Sequence, residues 1–218
     1  MDDFKFAALG YLNNWFQYDK RFVEGLRSGD ISVKLKSLRG AANAYHVTRN
    51  FKTCADEDDK NRLQHALAAL EEVGGSSVTE EDVDAKVCKL ASEIERLYGK
   101  HTVSAASKFL WFRYRSPVVM YDSQARGYLQ GLCKKDCSTY QSYRATWRER
   151  YAAEEDSVRD ACAELVHVKS FSLAREVDDE ALQSLVREEW FQERVFDWFL
   201  WGNGRPQDLV SPEPKTPS

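Results

Sequence analysis

The stretch "SAASKFLWFRYRSPVVMYDSQARGYL", Ser104 to Leu129, is apolar enough for a protein core, yet it ends on a single aspartate, Asp122, flanked by arginines and a lysine. Its first half carries apolar residues at three- and four-residue spacing, the period of a packed helix, and predicts one from about Ser104 to Tyr114. Pro117 interrupts that pattern, because proline gives no amide hydrogen to the helix ladder and disfavours a helical Ser116. Asp122 then stands at an N-cap position, ahead of a second helical run to about Leu132.

Outward from this stretch the helical period continues over most of the chain. Alternation at spacing two is brief, clearest at Ile31, Val33 and Leu35. The fold class expected is all-α. Helices are predicted over Phe4 to Leu26, Lys36 to Phe51, and from the acidic "ADEDDKNRL" to Val73, where negative charge suits the positive end of the helix dipole. "GGSS" stops that helix. Thr79, with Asp82 three residues on, starts another to Tyr98, and after "GKH" the Ser104 helix follows, so the two form a tight hairpin. Further helices are expected at Ser138 to Ala153, Asp156 to Val168 and Asp178 to Trp201. Residues 1–204 read as one domain, and the proline-rich 205–218 as a flexible tail.

The chain has 218 residues, 43% hydrophobic and 30% charged, which suits a soluble globular protein. No segment approaches the ~20 apolar residues of a membrane span, and "MDDFKFAALGYLNNWF" lacks the regions of a secretory signal. A cytoplasmic monomer with no membrane association is expected. The five cysteines (Cys54, Cys88, Cys133, Cys137, Cys162) suit a reducing compartment. Cys133, Cys137, Cys162 and His167 meet no recognised zinc-ligand spacing, so the three cysteines read as thiols packed in the fold and His167 as an ordinary helix residue, with no metal and no cofactor.

The net charge of −4 hides an asymmetry: Arg96 to Arg150 holds eleven Lys and Arg against three acids, a balance of +8. Two readings follow, a face that attracts a polyanion or charges spread over solvated helix faces.

The order helix, short hairpin, apolar helix, proline-bearing loop, N-terminal aspartate resembles the helix-hairpin-helix DNA glycosylases, best over Tyr98 to Leu129. "YHVTRNF" (Tyr45–Phe51) and "RVFDWFLWGNG" (Arg194–Gly204) are similar to segments of small bacterial proteins related to the 8-oxoguanine glycosylases. The resemblance implies two helical lobes flanking a cleft, duplex DNA with a modified base as partner, and excision of that base to leave an abasic site. It implies that Asp122 stabilises positive charge developing on the deoxyribose or orients the attacking water. The dipole and free amides of a helix N-terminus favour an ionised carboxylate there.

Two features depart from the family pattern. The hairpin "YGKHTVSAA" has Gly99 as its only glycine, so phosphate contact falls to Lys100, His101, Thr102 and the first helical amides near Ser104. The position of the nucleophilic lysine of bifunctional members falls near Val103 to Ala105, whereas Lys108 lies four residues past Ser104 on the same helical face. A monofunctional enzyme is favoured, with Lys108 a second catalytic candidate or a phosphate contact. Arg113, Arg115 and Arg126 are further candidate DNA contacts. Trp15, Tyr18, Tyr45, His46, Arg49 and Trp111 are candidates for the pocket of a flipped base, beside Asn50. Aromatic residues also dominate cores, and Trp198 and Trp201 read that way. Arg194 and Asp197, three apart, are expected to form an ion pair on one helical face. The competing readings are a DNA-binding module without chemistry and a helical adaptor for protein partners.

Overall fold

The computed structural model describes residues 2–51 and 63–204, and every regular element in them is helical. The acidic opening of the helix expected to run to Val73 lies outside these residues, as do Cys54 and the expected tail.

α1 (Asp2–Asn14) and α2 (Lys20–Leu26) are joined without a break through a single π turn, Trp15–Asp19. The extra residue in a π turn rotates the chain locally. Here Trp15 and Asp19 are both buried on it. α3 (Ile31–Ala44) begins earlier than the sequence suggested, because Asp30 caps it by accepting the Ser32 amide at 2.7 Å. Ile31, Val33 and Leu35 are therefore helical and not extended, with Ile31 and Val33 exposed. α3 also ends sooner: His46 takes a left-handed conformation (φ 55°), and Thr48–Asn50 form a separate 3-10 turn.

α4 (Gln64–Gly74) is followed by α5 (Val83–Tyr98), which starts four residues later than Thr79. Asp82 accepts the Thr79 amide at 2.7 Å, the returning half of a capping box. α5 stops at Gly99, whose φ of 70° places it in the left-handed region that glycine occupies without a Cβ penalty. Three residues on, Thr102 caps α6 (Val103–Tyr114), so the predicted helical hairpin is present.

α7 (Ser123–Cys133) follows the proline-bearing loop, and α8 (Tyr140–Ala163) follows α7. The expected break near Ala153 is absent. That region holds no glycine or proline, and the pairs Arg150–Glu154 and Asp156–Arg159 lace it at helical spacing. Short α9 (Leu165–Val168) and a 3-10 turn lead to α10 (Asp179–Arg187).

The last helix expected from sequence is two. Glu188 is extended (ψ 128°) between α10 and α11 (Glu189–Asn203). The corner is held by the Trp190 indole N–H on the Glu188 carboxylate (3.2 Å) and the Gln192 amide on the Val186 carbonyl (3.1 Å). α11 packs against α1, α7, α8 and α10, while α2 lies on α3 and α5 on α4 and α6. One apolar core runs through all of these layers. Cys137 and Cys162 are buried, as expected, whereas Cys133 is only partly buried, a correction to the packed thiol expected there; Cys88 is exposed. No helix of the described residues is long and apolar enough to cross a membrane.

Candidate functional site: the Lys108–Asp122 pair

Asp122 caps α7 as the sequence predicted: its Oδ1 accepts the Gln124 amide at 2.9 Å. Its Oδ2 lies 3.1 Å from the Nζ of Lys108 on α6. The Lys108 amine also donates to the Ser104 hydroxyl at 3.0 Å, one helical turn back on the same face. The pair is unequal in exposure, with 27% of the Asp122 side chain accessible against 6% of Lys108. Burial pushes the Lys108 amine below its ordinary range, and Asp122 works against that shift.

The loop that delivers Asp122 is fastened from α8. Spacing of three, four and eight residues puts Tyr140, Tyr143, Arg144 and Arg148 along one side of a helix. Tyr140 donates to the Val119 carbonyl (3.0 Å) and accepts the Val119 amide (3.2 Å). Tyr143 donates to the Met120 carbonyl at 3.3 Å, and both arginines reach the Pro117 carbonyl. From the other side, the Tyr121 amide donates to the Ser107 hydroxyl of α6 at 2.9 Å. Buried backbone groups need such partners, so the loop is fixed by its own polar atoms.

Behind Lys108 lies a buried polar chain. Lys108 sits 5.9 Å from the centre of the Tyr45 ring. The Tyr45 hydroxyl donates to Asp19 (2.8 Å) and accepts from Arg194 (3.2 Å). Arg194 pairs with Asp197 at 2.7 Å, the ion pair that their spacing predicted, and Asp197 also accepts the Trp147 indole N–H at 2.7 Å. Asp19 is fully enclosed, and burial raises its carboxyl to about 6 against the pull of Arg194, Tyr45 and Asn14. Burial likewise raises Asp197, opposed by Arg194. Asp19 escaped sequence reading, since nothing local distinguishes it.

The other candidates are dispersed. Lys100 and His101 are exposed on the hairpin turn, while Thr102 is buried and accepts the Ala105 amide at 3.3 Å. Arg126 donates to the Tyr121 hydroxyl at 2.9 Å, in the first turn after Asp122. Arg113 is held by Glu71 of α4 at 3.3 Å, and Arg115 lies over Trp190 and Trp15. Trp15 is buried with its ring 4.7 Å from that of Trp190. Tyr18 is half-buried beneath Arg21, and His46 and Arg49 are exposed around the 3-10 turn. Trp111 is only 1% exposed, packed against Phe112 and under Arg194. Of the aromatic candidates, Tyr45 is brought to Lys108, whereas Trp111 belongs to the core.

The +8 region is largely neutralised in three dimensions. Arg96, Lys108, Arg113, Lys135, Arg144, Arg148 and Arg150 all pair with carboxylates, most of them from other segments. Lys100, Arg115, Arg126 and Lys134 have no carboxylate partner among the described residues. Two clefts, of about 840 and 520 Å³, run along α8, α10 and α11, and neither is lined by Asp122 or Lys108. Comparison with protein-family models, curated proteins and solved structures finds no match to this chain.

Proposed function

We propose that the protein is a monofunctional DNA N-glycosylase that hydrolyses the bond between a modified base and its deoxyribose. The observation that carries this reading is the Asp122 carboxylate, fixed at a helix N-terminus by Gln124 and Lys108 and still 27% accessible. As the C1′–N bond lengthens, positive charge grows on the sugar, and a preoriented carboxylate lowers the energy of that charge. Water then adds at C1′ and gives up a proton, the base leaves with its bonding electron pair and takes up a proton, and an abasic site remains. Lys108 acts as a positioning residue, holding Oδ2 while the lone pairs towards solvent stay available.

The reading includes duplex DNA as partner, with Lys100 and His101 at the hairpin meeting backbone phosphates. Arg126 is a further candidate contact beside Asp122. It includes an arrangement in which the α2–α6 group and the group around α11 form two lobes flanking an extruded nucleotide. The protein would act as a cytoplasmic monomer, in repair or in defence against phage DNA carrying modified cytosines. The test is incubation of the full chain with genomic DNA from hosts and from phages with modified bases, followed by detection of abasic sites. Abasic sites above the no-enzyme level on one of these DNAs are expected; none on any of them contradicts the reading.

A DNA-binding module without chemistry is the second reading. It is favoured by the clefts, neither of which contains Asp122. It predicts strongly salt-dependent DNA binding, since neutralised phosphates release counterions, and no base loss. A gel shift at about 50 mM salt, where such binding is strong, separates either DNA reading from a protein adaptor with no DNA affinity.

A further inference from the structure

The cleft of about 840 Å³ is walled by helices. α8 contributes Arg148, Tyr151, Ala152, Glu155, Arg159 and Ala163, which recur at three- and four-residue spacing and so form one stripe along the helix. At about 1.5 Å per residue this stripe is about 22 Å long, the length of about four helical turns. The rest of the lining comes from α9, α10 and α11, and includes Val166, Val186 and Glu189. The second cleft, of about 520 Å³, shares Arg187 and Glu189 with the first and carries it on to Glu180 and Glu188. Tyr151 and Val186 are part of the apolar core, so the first cleft has an apolar floor. Ala152 and Ala163 are exposed and end at Cβ, which leaves room for another chain to come close to α8.

The segment that builds these walls is strongly acidic. Tyr151 to Glu193 holds twelve Asp and Glu against four Lys and Arg, a balance of −8. Three of the four cations are already paired within the segment: Arg159 with Asp156, Lys169 with Asp179, and Arg175 with Glu176. Arg148, on the α8 wall, is neutralised by Glu193 and Glu80. Glu155 and Glu189 on the first cleft, and Glu180 and Glu188 on the second, are exposed, with no cation at ion-pair distance among the described residues. Arg187, where the two clefts meet, is unpaired in the same sense. The groove therefore offers an apolar floor between carboxylates that lack counter-charges. Such a surface repels a nucleic-acid backbone and attracts cations.

We propose that the groove between α8 and the α10–α11 corner docks a basic amphipathic helix of a partner protein. Its length suits about four turns of helix, and a helix of that kind lays one apolar face into a groove with anchors at three- and four-residue spacing. Those anchors meet Tyr151, Val166 and Val186. Lysine and arginine stems at the edges of the same face cover apolar surface and carry their charged ends to Glu155, Glu189 and Glu180. An acidic residue of the partner meets Arg187, which fixes the direction of the helix along the groove. This surface contains neither Asp122 nor Lys108 and does not depend on base excision.

The test is calorimetric titration of the full chain with a synthetic peptide of about sixteen residues, leucine at three- and four-residue spacing and lysine elsewhere, at about 50 mM salt to limit screening. The controls are a peptide of the same composition with its leucines scattered round the helix, a peptide of the same pattern with glutamate for lysine, and spermine. Saturable binding of one peptide per chain is expected, at least about tenfold tighter than that of either control peptide. Glu155→Gln together with Glu189→Gln weakens it about tenfold. Ala152→Arg, which puts bulk and positive charge into the cleft, weakens it further. All three side chains are exposed, so the variants keep the wild-type circular dichroism. Absence of saturable binding, equal affinity for the scattered or the acidic peptide, or an affinity unaltered by Ala152→Arg overturns the proposal. Spermine bound as tightly as the peptide also overturns it and assigns the groove to a small polycation. Each of these results leaves the Asp122 reading untouched.

Discussion

The Nζ of Lys108 lies 3.1 Å from Oδ2 of Asp122, whose Oδ1 at the same time accepts the Gln124 amide at 2.9 Å. One carboxylate therefore joins α6 to α7 and closes the first turn of α7. Its two tasks separate by substitution. Asp122→Asn preserves a good cap but leaves the Lys108 ammonium almost buried without a counter-charge, costing about 1–3 kcal/mol. Lys108→Met removes the buried charge and leaves Asp122 partly hydrated, so it changes stability by less than about 1 kcal/mol. Urea denaturation of both variants checks the asymmetry; equal losses would contradict it.

Asp19 makes stability depend on pH. Its carboxyl is raised by burial from 3.8 to about 6. The folded chain therefore holds a proton that the unfolded chain has released over this interval. Stability falls as pH rises from about 4 to 6 and is level above, a loss of about 3 kcal/mol from this group. Asp19→Asn keeps an acceptor for the Tyr45 hydroxyl and removes the titration. Denaturation at both pH values should show the variant gaining about 2 kcal/mol on the wild type between pH 4.5 and 7.5. A constant difference would place the proton elsewhere.

The loop clamp makes a graded prediction. Tyr140→Phe strips both the amide and the carbonyl of Val119 of their partner, whereas Tyr143→Phe affects the Met120 carbonyl alone. Expected losses are about 2–3 kcal/mol and about 1 kcal/mol, since each stranded buried group carries its own desolvation cost. Denaturant midpoints at unchanged slope provide the measurement. The reverse order would show that Tyr140 does not fasten the loop.

Close approach of α2 and α3 depends on Gly25. A Cβ there would meet the Ser37 hydroxyl and come within 2.8 Å of the Ser37 Cβ. Alanine is the better helix former by about 1 kcal/mol, yet overpacking outweighs that gain, so Gly25→Ala should destabilise by about 1–3 kcal/mol. Thermal denaturation checks the sign; a stabilised variant would mean that the two helices can separate at little cost.

Local chemistry explains which parts were legible in the sequence. Proline at 117, glycine at 99 and the cap Asp122 act over a few residues, so the hairpin, the end of α6 and the start of α7 could be read directly, whereas Thr102, read as a phosphate contact, is instead the cap of α6. The Arg194–Asp197 pair was legible from spacing for the same reason. Continuity of α8 was not, because the acidic cluster at Glu154, Glu155 and Asp156 resembles a helix start while its ion pairs keep the helix going. The corner at Glu188 depends on Trp190 and Gln192 side chains folding back, which no periodicity records. Partners far apart along the chain were the least visible. Tyr45 is 26 residues from Asp19 and 149 from Arg194, so its enclosure behind Lys108 follows only from the packed helices. Trp111 illustrates the opposite case: an aromatic residue is available for a base pocket on sequence alone, yet the packed helices enclose this one.

The most direct measurement is abasic-site formation by wild type, Asp122→Asn and Lys108→Met on whichever modified DNA the wild type cleaves. The account predicts activity lost about a hundredfold or more with Asp122→Asn, the scale for losing a preorganised electrostatic group, and a smaller loss with Lys108→Met. Full base release by folded Asp122→Asn would contradict it.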